Sequence, residues 1–167
     1  MRTPLASLIR PSDFDEVVGQ RKLVGKNGFI RKIIESNKPL PNMILYGPSG
    51  TGKTTVANII ASKTQKKIYF LNATTASKKD IDEVINDLNH IDSQNGILLY
   101  LDEIQYFTKK QQQTLLEFIE KGDITLIAST TENPYFYIYN AIISRCIIFE
   151  FQPVDKHDVV IALNRAI

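Results

Sequence analysis

The sequence predicts an α/β fold, a five-stranded parallel sheet with helices packed on both faces. Three observations carry this. Five short apolar runs, Met43–Tyr46, Ile68–Leu71, Ile97–Leu101, Ile124–Ala128 and Ile147–Phe151, are separated mostly by stretches of helical periodicity. The runs are continuously apolar rather than alternating, as strands buried on both faces must be. The first of them enters a glycine-rich turn that opens directly into a helix, the strand–turn–helix unit of layered α/β domains.

In chain order, residues 1–24 read as an extended lead-in with Pro4 and Pro11, and it carries the segment Val17–Gln20. Residues 26–37 place Phe29, Ile30, Ile33 and Ile34 at helical spacing, and Pro39 and Pro41 end that helix. After the first strand and the glycine-rich turn, Thr54–Thr64 is a helix with Val56, Ile59 and Ile60 on one face. Lys79–Ile91 is an amphipathic helix with Ile81, Val84, Ile85 and Leu88 inward. Gln111–Lys121 is a helix through Leu115, Leu116 and Ile119, closed by Gly122. Pro153 breaks the chain, and Asp155–Ile167 starts a further helical unit with Val159, Val160 and Leu163 as its apolar stripe.

The composition is that of a globular domain, 43% hydrophobic and 23% charged. A length of 167 residues sets one domain as the default. The net charge of +2 excludes a strongly basic nucleic-acid-coating domain and leaves room for a local basic patch. Cys146 is the one cysteine, so no disulfide forms within the chain, which fits a reducing cytoplasm. No apolar run approaches the roughly 18 residues of a membrane helix. The N-terminal stretch has no secretion signal, so neither a membrane nor export is expected.

Gly47-Pro48-Ser49-Gly50-Thr51-Gly52-Lys53-Thr54 matches the phosphate-loop pattern G-x-x-x-x-G-K-[ST]. Glycines let the backbone curl so that successive N–H groups face phosphate oxygens, and the following helix directs its positive end to the same place. Lys53 is expected on the β- and γ-phosphates of ATP, and the Thr54 hydroxyl on Mg2+. Asp102 and Glu103 end the apolar run Ile97–Leu101. That is the carboxyl edge, where ligands bind in open α/β sheets. Asp102 is expected to hold Mg2+ through its water shell, and Glu103 to act as the base that polarises the attacking water. A glutamate directly after the metal aspartate points to hydrolysis by water.

The order of these pieces resembles the AAA+ superfamily of P-loop NTPases. Within it, the chain is similar to the replication-associated recombination protein A family, kin to clamp-loader subunits. The stretches that carry the likeness are Arg10–Gln20, Met43–Thr55, Leu99–Ile104, Gly122–Pro134 and Ile143–Cys146. The resemblance implies an AAA+ core over 1–153, with residues 1–25 as a lead-in to adenine. It implies that 154–167 begin a lid domain that is truncated or absent. It places Val18, Gly19, Arg10 and Pro11 near adenine and Thr55 in the phosphate-loop segment. Thr131 takes the sensor position beside the γ-phosphate. Arg145 becomes the arginine finger that reaches a neighbouring subunit's ATP, and Asn72 an asparagine that holds the catalytic glutamate. The implied activity is ATP hydrolysis driving a DNA replication, recombination or repair factor. The implied partners are single-stranded or forked DNA, further copies of the chain with ATP between them, and replication proteins. In place of the family's HR after DEI, this chain has Gln105-Tyr106.

A second reading is a clamp-loader-like or Holliday-junction-motor-like subunit whose nucleotide gates partner binding. A third, a small-molecule kinase, lacks the arginine-rich substrate lid it needs. His90 and His157 have no metal-ligand spacing. Tyr135, Phe136, Tyr137 and Tyr139 read as core or subunit-interface packing. Lys63, Lys66, Lys67, Lys78 and Lys79 read as a solvated face.

Overall fold

The structure, a computed structural model, describes residues 4–90 and 95–167, apart from the side chains of Ala6 and Ser7. Met1–Thr3 of the expected lead-in and Ile91, the expected end of a helix, lie outside the described residues. The five apolar runs form β1 (Asn42–Tyr46), β2 (Lys67–Asn72), β3 (Ile97–Asp102), β4 (Ile124–Thr130) and β5 (Cys146–Glu150). They make one sheet in the order β2-β3-β4-β1-β5, and every pairing is parallel. Successive side chains on a strand point to opposite faces, so a continuous apolar run feeds two cores. Met43, Leu45, Leu98, Tyr100 and Ile127 belong to one buried cluster, and Ile44, Ile97, Leu99, Leu101, Leu126 and Ala128 to the other. Each large aliphatic side chain among these contributes about 1.5–3 kcal/mol by leaving water.

The first cluster is closed by α3 (Phe29–Glu35) and α4 (Lys53–Ser62), through Ile30, Val56, Ile59 and Ile60. The second is closed by α5 (Lys78–Asp87) and α6 (Lys109–Glu120), through Ile81, Val84, Leu115 and Ile119. Both of these helices start earlier than their apolar periodicity indicates. Ser77 with Asp80, and Thr108 with Gln111, form capping boxes that satisfy the first free N–H groups.

The lead-in departs from the expected extended form. It contains α1 (Leu5–Leu8), a 3-10 turn at Phe14–Glu16 and α2 (Arg21–Val24). Buried Phe14 anchors it, with the Arg31 guanidinium and Lys63 ammonium 5.7 and 5.6 Å from the ring centre. The helix expected from residue 26 begins at Phe29, because the Gly25–Gly28 connection folds tightly onto α2. A side chain at Gly28 would meet the Leu23 carbonyl at 2.4 Å. Of the four apolar residues at helical spacing, Ile30 is buried and Phe29 is exposed.

Two helical turns follow β4 that periodicity did not indicate, α7 (Pro134–Tyr137) and α8 (Asn140–Ile143). Pro134, Ile138 and Ile142 are the buried residues there. Tyr135, Phe136 and Tyr137, expected in the core or an interface, face outward. The last helix, α9 (Lys156–Ala166), buries Asp158 rather than its apolar stripe. Asp158 pairs with Arg21 at 2.7 Å, and Arg165 bonds the Glu16 carbonyl, so α9 is tied to the lead-in at both ends.

Candidate functional site

The register brings the expected site residues to one edge of the sheet. Tyr46 pairs with Thr130 and Asn72 with Asp102, so Gly47, Asp102, Glu103 and Thr131 all emerge at the carboxyl ends of neighbouring strands. Such strands lie about 4.8 Å apart. Gly47 has φ +151°, and a Cβ there would meet the Phe151 carbonyl oxygen at 2.4 Å, so no other residue fits the start of the loop. Pro48, Ser49 and Gly50 form its exposed crest. Thr51 is buried and donates to the Pro48 carbonyl at 2.8 Å. Gly52, at φ +96°, turns the chain into α4, whose first residue is Lys53.

The Lys53 ammonium is buried and donates to the carbonyls of Gly47 and Pro48, at 2.5 and 2.8 Å. Burial holds its pKa below the ordinary lysine value, opposed by the nearby charges of Glu103 and Asp102. Among the described residues Lys53 makes no ion pair, so its charge is available to an anion held by the loop.

Behind the loop, one hydrogen-bond chain joins Thr54 to Asp102. The Ser129 hydroxyl donates to the Asp102 carboxylate, and the Tyr100 hydroxyl donates to Ser129 at 3.1 Å. Thr54 and Tyr100 hydroxyls lie 3.1 Å apart. A carboxylate only accepts. The single proton of Ser129 is therefore committed to Asp102, that of Tyr100 to Ser129, and that of Thr54 to Tyr100. Thr54, itself exposed, is left with hydroxyl lone pairs that no proton donor among the described residues occupies. Hydroxyl and carboxylate oxygens are the donors that Mg2+ prefers, so the residues fit that ion.

A second chain holds Glu103. Gln105 donates to the Glu103 carboxylate, and Thr131 donates to the same oxygen, Oε2, at 3.4 Å. The Gln105 carbonyl accepts from the Thr130 hydroxyl at 2.7 Å. Asn72, expected to hold the glutamate, does not bond it. Its carbonyl oxygen accepts from the Thr74 amide at 2.9 Å and from the Thr74 hydroxyl, a local turn favoured by adjacency in the chain.

Beside the loop lies a mainly apolar cavity of about 370 Å³. Pro11 and Val18 line it, as expected, with Thr55 and the loop residues Gly50–Gly52. Val159 and Leu163 of α9 form the opposite wall. Arg10 lines an adjoining cavity of about 260 Å³ with Pro11 and Thr55. Gly19 is on neither wall; its φ of +78° makes the turn before Gln20. Gln20 in turn clamps the Thr51 carbonyl at 3.2 Å and both polar groups of the Gln152 backbone.

Arg145 is elsewhere. It precedes Cys146, the partner of Asn42 at the amino end of β1, whereas the loop leaves the carboxyl end. Five residues of strand, roughly 16 Å, separate them. Exposed Arg145 is held by Glu120 at 2.5 Å and by the Ala141 carbonyl at 2.7 Å.

A family model for the "ATPase family associated with various cellular activities (AAA)" matches residues 43–154, from β1 to the residue before α9 begins at its cap. The chain belongs to the AAA family. The resemblance read from its motifs extends over nearly the whole AAA chain. It is 40% identical over 164 residues to replication-associated recombination protein A of Coxiella burnetii, covering 98% of this chain and 37% of that protein. It is 39% identical over 165 residues to ATPase WRNIP1 of Dictyostelium discoideum, covering 98% and 19%. Among solved structures it superposes on the RuvB Holliday junction branch migration motor of Thermotoga maritima at TM-score 0.77. The identity there is 26%, over 94% of this chain and 53% of that one. The chain thus spans well under half the length of these curated relatives.

The sequence reading missed Tyr100, Ser129, Thr130, Gln105 and Gln20. A tyrosine inside Ile97–Leu101 and two hydroxyls closing Ile124–Thr130 were the available signal. Tyr100 is the one polar group in its run, and Ser129 and Thr130 close a run whose other polar residue is Thr125.

Proposed function

We propose that this AAA domain binds ATP with Mg2+ and hydrolyses it, as the nucleotide-driven unit of a DNA replication, recombination or repair factor. One observation carries the reading: the phosphate loop, a prepared hydroxyl and two separately held carboxylates share one sheet edge beside an apolar cavity. Adenine enters the cavity between Val18, Pro11 and α9. The loop amides and Lys53 grip the β- and γ-phosphates. Thr54 and Asp102 would hold Mg2+, which neutralises charge on the phosphoryl group. Glu103, with Thr131 beside it, accepts the proton of a water. The water oxygen bonds the γ-phosphorus, the bond to the bridging oxygen breaks, and ADP and phosphate leave.

Arg145 is too far along β1 to serve its own loop, which supports its action on the ATP of a second copy. Residues 1–153 are then the core, with 1–25 as the adenine lead-in and 154–167 as the first part of a lid. DNA, further copies and replication proteins as partners, and a cytoplasmic setting, rest on the likeness to the recombination proteins. The likeness to the RuvB branch migration motor supports a second form of the reading, a Holliday-junction-motor-like or clamp-loader-like subunit whose nucleotide mainly gates partner binding, DNA included.

Glu103→Gln in the full-length protein should retain ATP binding by titration calorimetry and lose turnover, measured with and without single-stranded and forked DNA. Undiminished hydrolysis refutes Glu103 as the base. Nucleotide-dependent DNA binding with no turnover in the parent protein selects the gating form.

A further inference from the structure

We propose that Gln105 sets the Glu103 carboxylate for attack, as a positioning residue whose own orientation is dictated by Thr130. The proposal rests on the reading of Glu103 as the base.

Glu103 has φ +55°, a left-handed conformation that a glutamate adopts at some cost. It begins the 3-10 turn Ile104–Tyr106, pinned by the fully buried Ile104 side chain. This turn brings Gln105 back alongside the residue two before it. The carboxamide of Gln105 has two unlike ends, and the structure decides which end meets Glu103. Thr130 is fully buried, and its hydroxyl oxygen accepts the Glu132 amide at 3.0 Å. Its proton goes to the Gln105 carbonyl at 2.7 Å. The amide end is thereby turned to Glu103, where it donates to Oε2.

Thr131 donates to that same oxygen. Both donors fall on Oε2, and among the described residues none donates to Oε1. A carboxylate fixed through one oxygen presents the other in a defined direction. Oε1 is the atom that takes the proton of the attacking water. Asn72 makes no hydrogen bond to Glu103; its carbonyl oxygen accepts from Thr74. The arrangement is made within one chain before any ligand binds, so it lowers the barrier without reorganisation at the moment of reaction.

The test uses ATP turnover of the full-length protein. Gln105→Ala removes the donor. Gln105→Glu keeps the shape and replaces the donor with an acceptor. Each should lower kcat about tenfold, the worth of one hydrogen bond to a charged group, with KM for ATP within about twofold. The decisive arm is a double-mutant cycle. In a Glu103→Ala background, Gln105→Ala should change the residual rate by less than about twofold, since its only effect runs through the missing carboxylate. Unchanged or raised kcat in the single variants overturns the proposal, as does a parallel rise in KM. So does an undiminished tenfold loss in the Glu103→Ala background, which marks a structural role. Failure of the underlying reading is visible separately, as full turnover in Glu103→Ala alone.

Discussion

The two ends of β1 differ in how they hold their charges. At the carboxyl end, Lys53, Asp102 and Glu103 are each fastened by hydrogen bonds within the chain, and the hydroxyls between them have settled proton directions. At the amino end, Arg145 is exposed and rests on Glu120 and a main-chain carbonyl. An exposed ion pair of that kind is worth at most about 1 kcal/mol and is readily exchanged for a better partner. The contrast separates chemistry that one chain completes from chemistry that a second chain would supply.

The sharpest way to break this contrast is at Lys53. Lys53→Ala should abolish measurable ATP binding in calorimetry, because the loop loses its only buried cation. Persistent binding would mean the carboxyl edge is not the phosphate site. Next in size, Arg145→Ala in the full-length protein should cut turnover about 10³-fold with ATP affinity nearly unchanged. Mixing Arg145→Ala with Glu103→Gln protein should restore part of the rate, since some interfaces then combine an intact Glu103 with an intact Arg145. No recovery on mixing would place Arg145 outside a shared site.

Smaller effects sharpen the carboxyl end. Tyr100→Phe or Ser129→Ala should raise the Mg2+ concentration for half-maximal nucleotide binding about tenfold, by unfixing Thr54 and Asp102. The smallest effect is at Cys146, next to Arg145. Burial pushes its thiol up to about 12, from an ordinary value of 9.0. Between those values the unfolded chain ionises and the folded one does not, so stability should fall as pH rises above 9. Denaturant midpoints at pH 8 and pH 10 measure this, and Cys146→Ala should remove the difference it causes.

The strands and the phosphate loop were legible because their signals are local. A continuous apolar run needs no partner to be recognised, and the loop pattern lies within eight residues. The Asp102–Glu103 pair was legible from its place at the end of such a run. Gln105 was passed over because its bond to Glu103 depends on a left-handed Glu103 and on Thr130, 25 residues away. Tyr100 and Ser129 carry no local signal of a site, since they are 29 residues apart and meet only when β3 and β4 pair. The Asn72 role rests on the family resemblance alone, and the described structure shows its carbonyl oxygen in a local turn with Thr74 and no bond to Glu103.

By itself, the sequence determined five strands, of which the edge strands β2 and β5 are only partly covered rather than buried on both faces, a phosphate cradle with its lysine, and two carboxylates at a strand end. These follow from periodicity, glycine conformations and charge placed after apolar runs, all properties of neighbouring residues. Tertiary structure alone decided which donors hold each carboxylate, which wall closes the adenine cavity, and that Arg145 lies at the far end of β1. Those outcomes depend on the strand order β2-β3-β4-β1-β5, which joins side chains distant in the chain. Hydrogen bonds act over about 3 Å, so only that assembled register can say which polar groups meet.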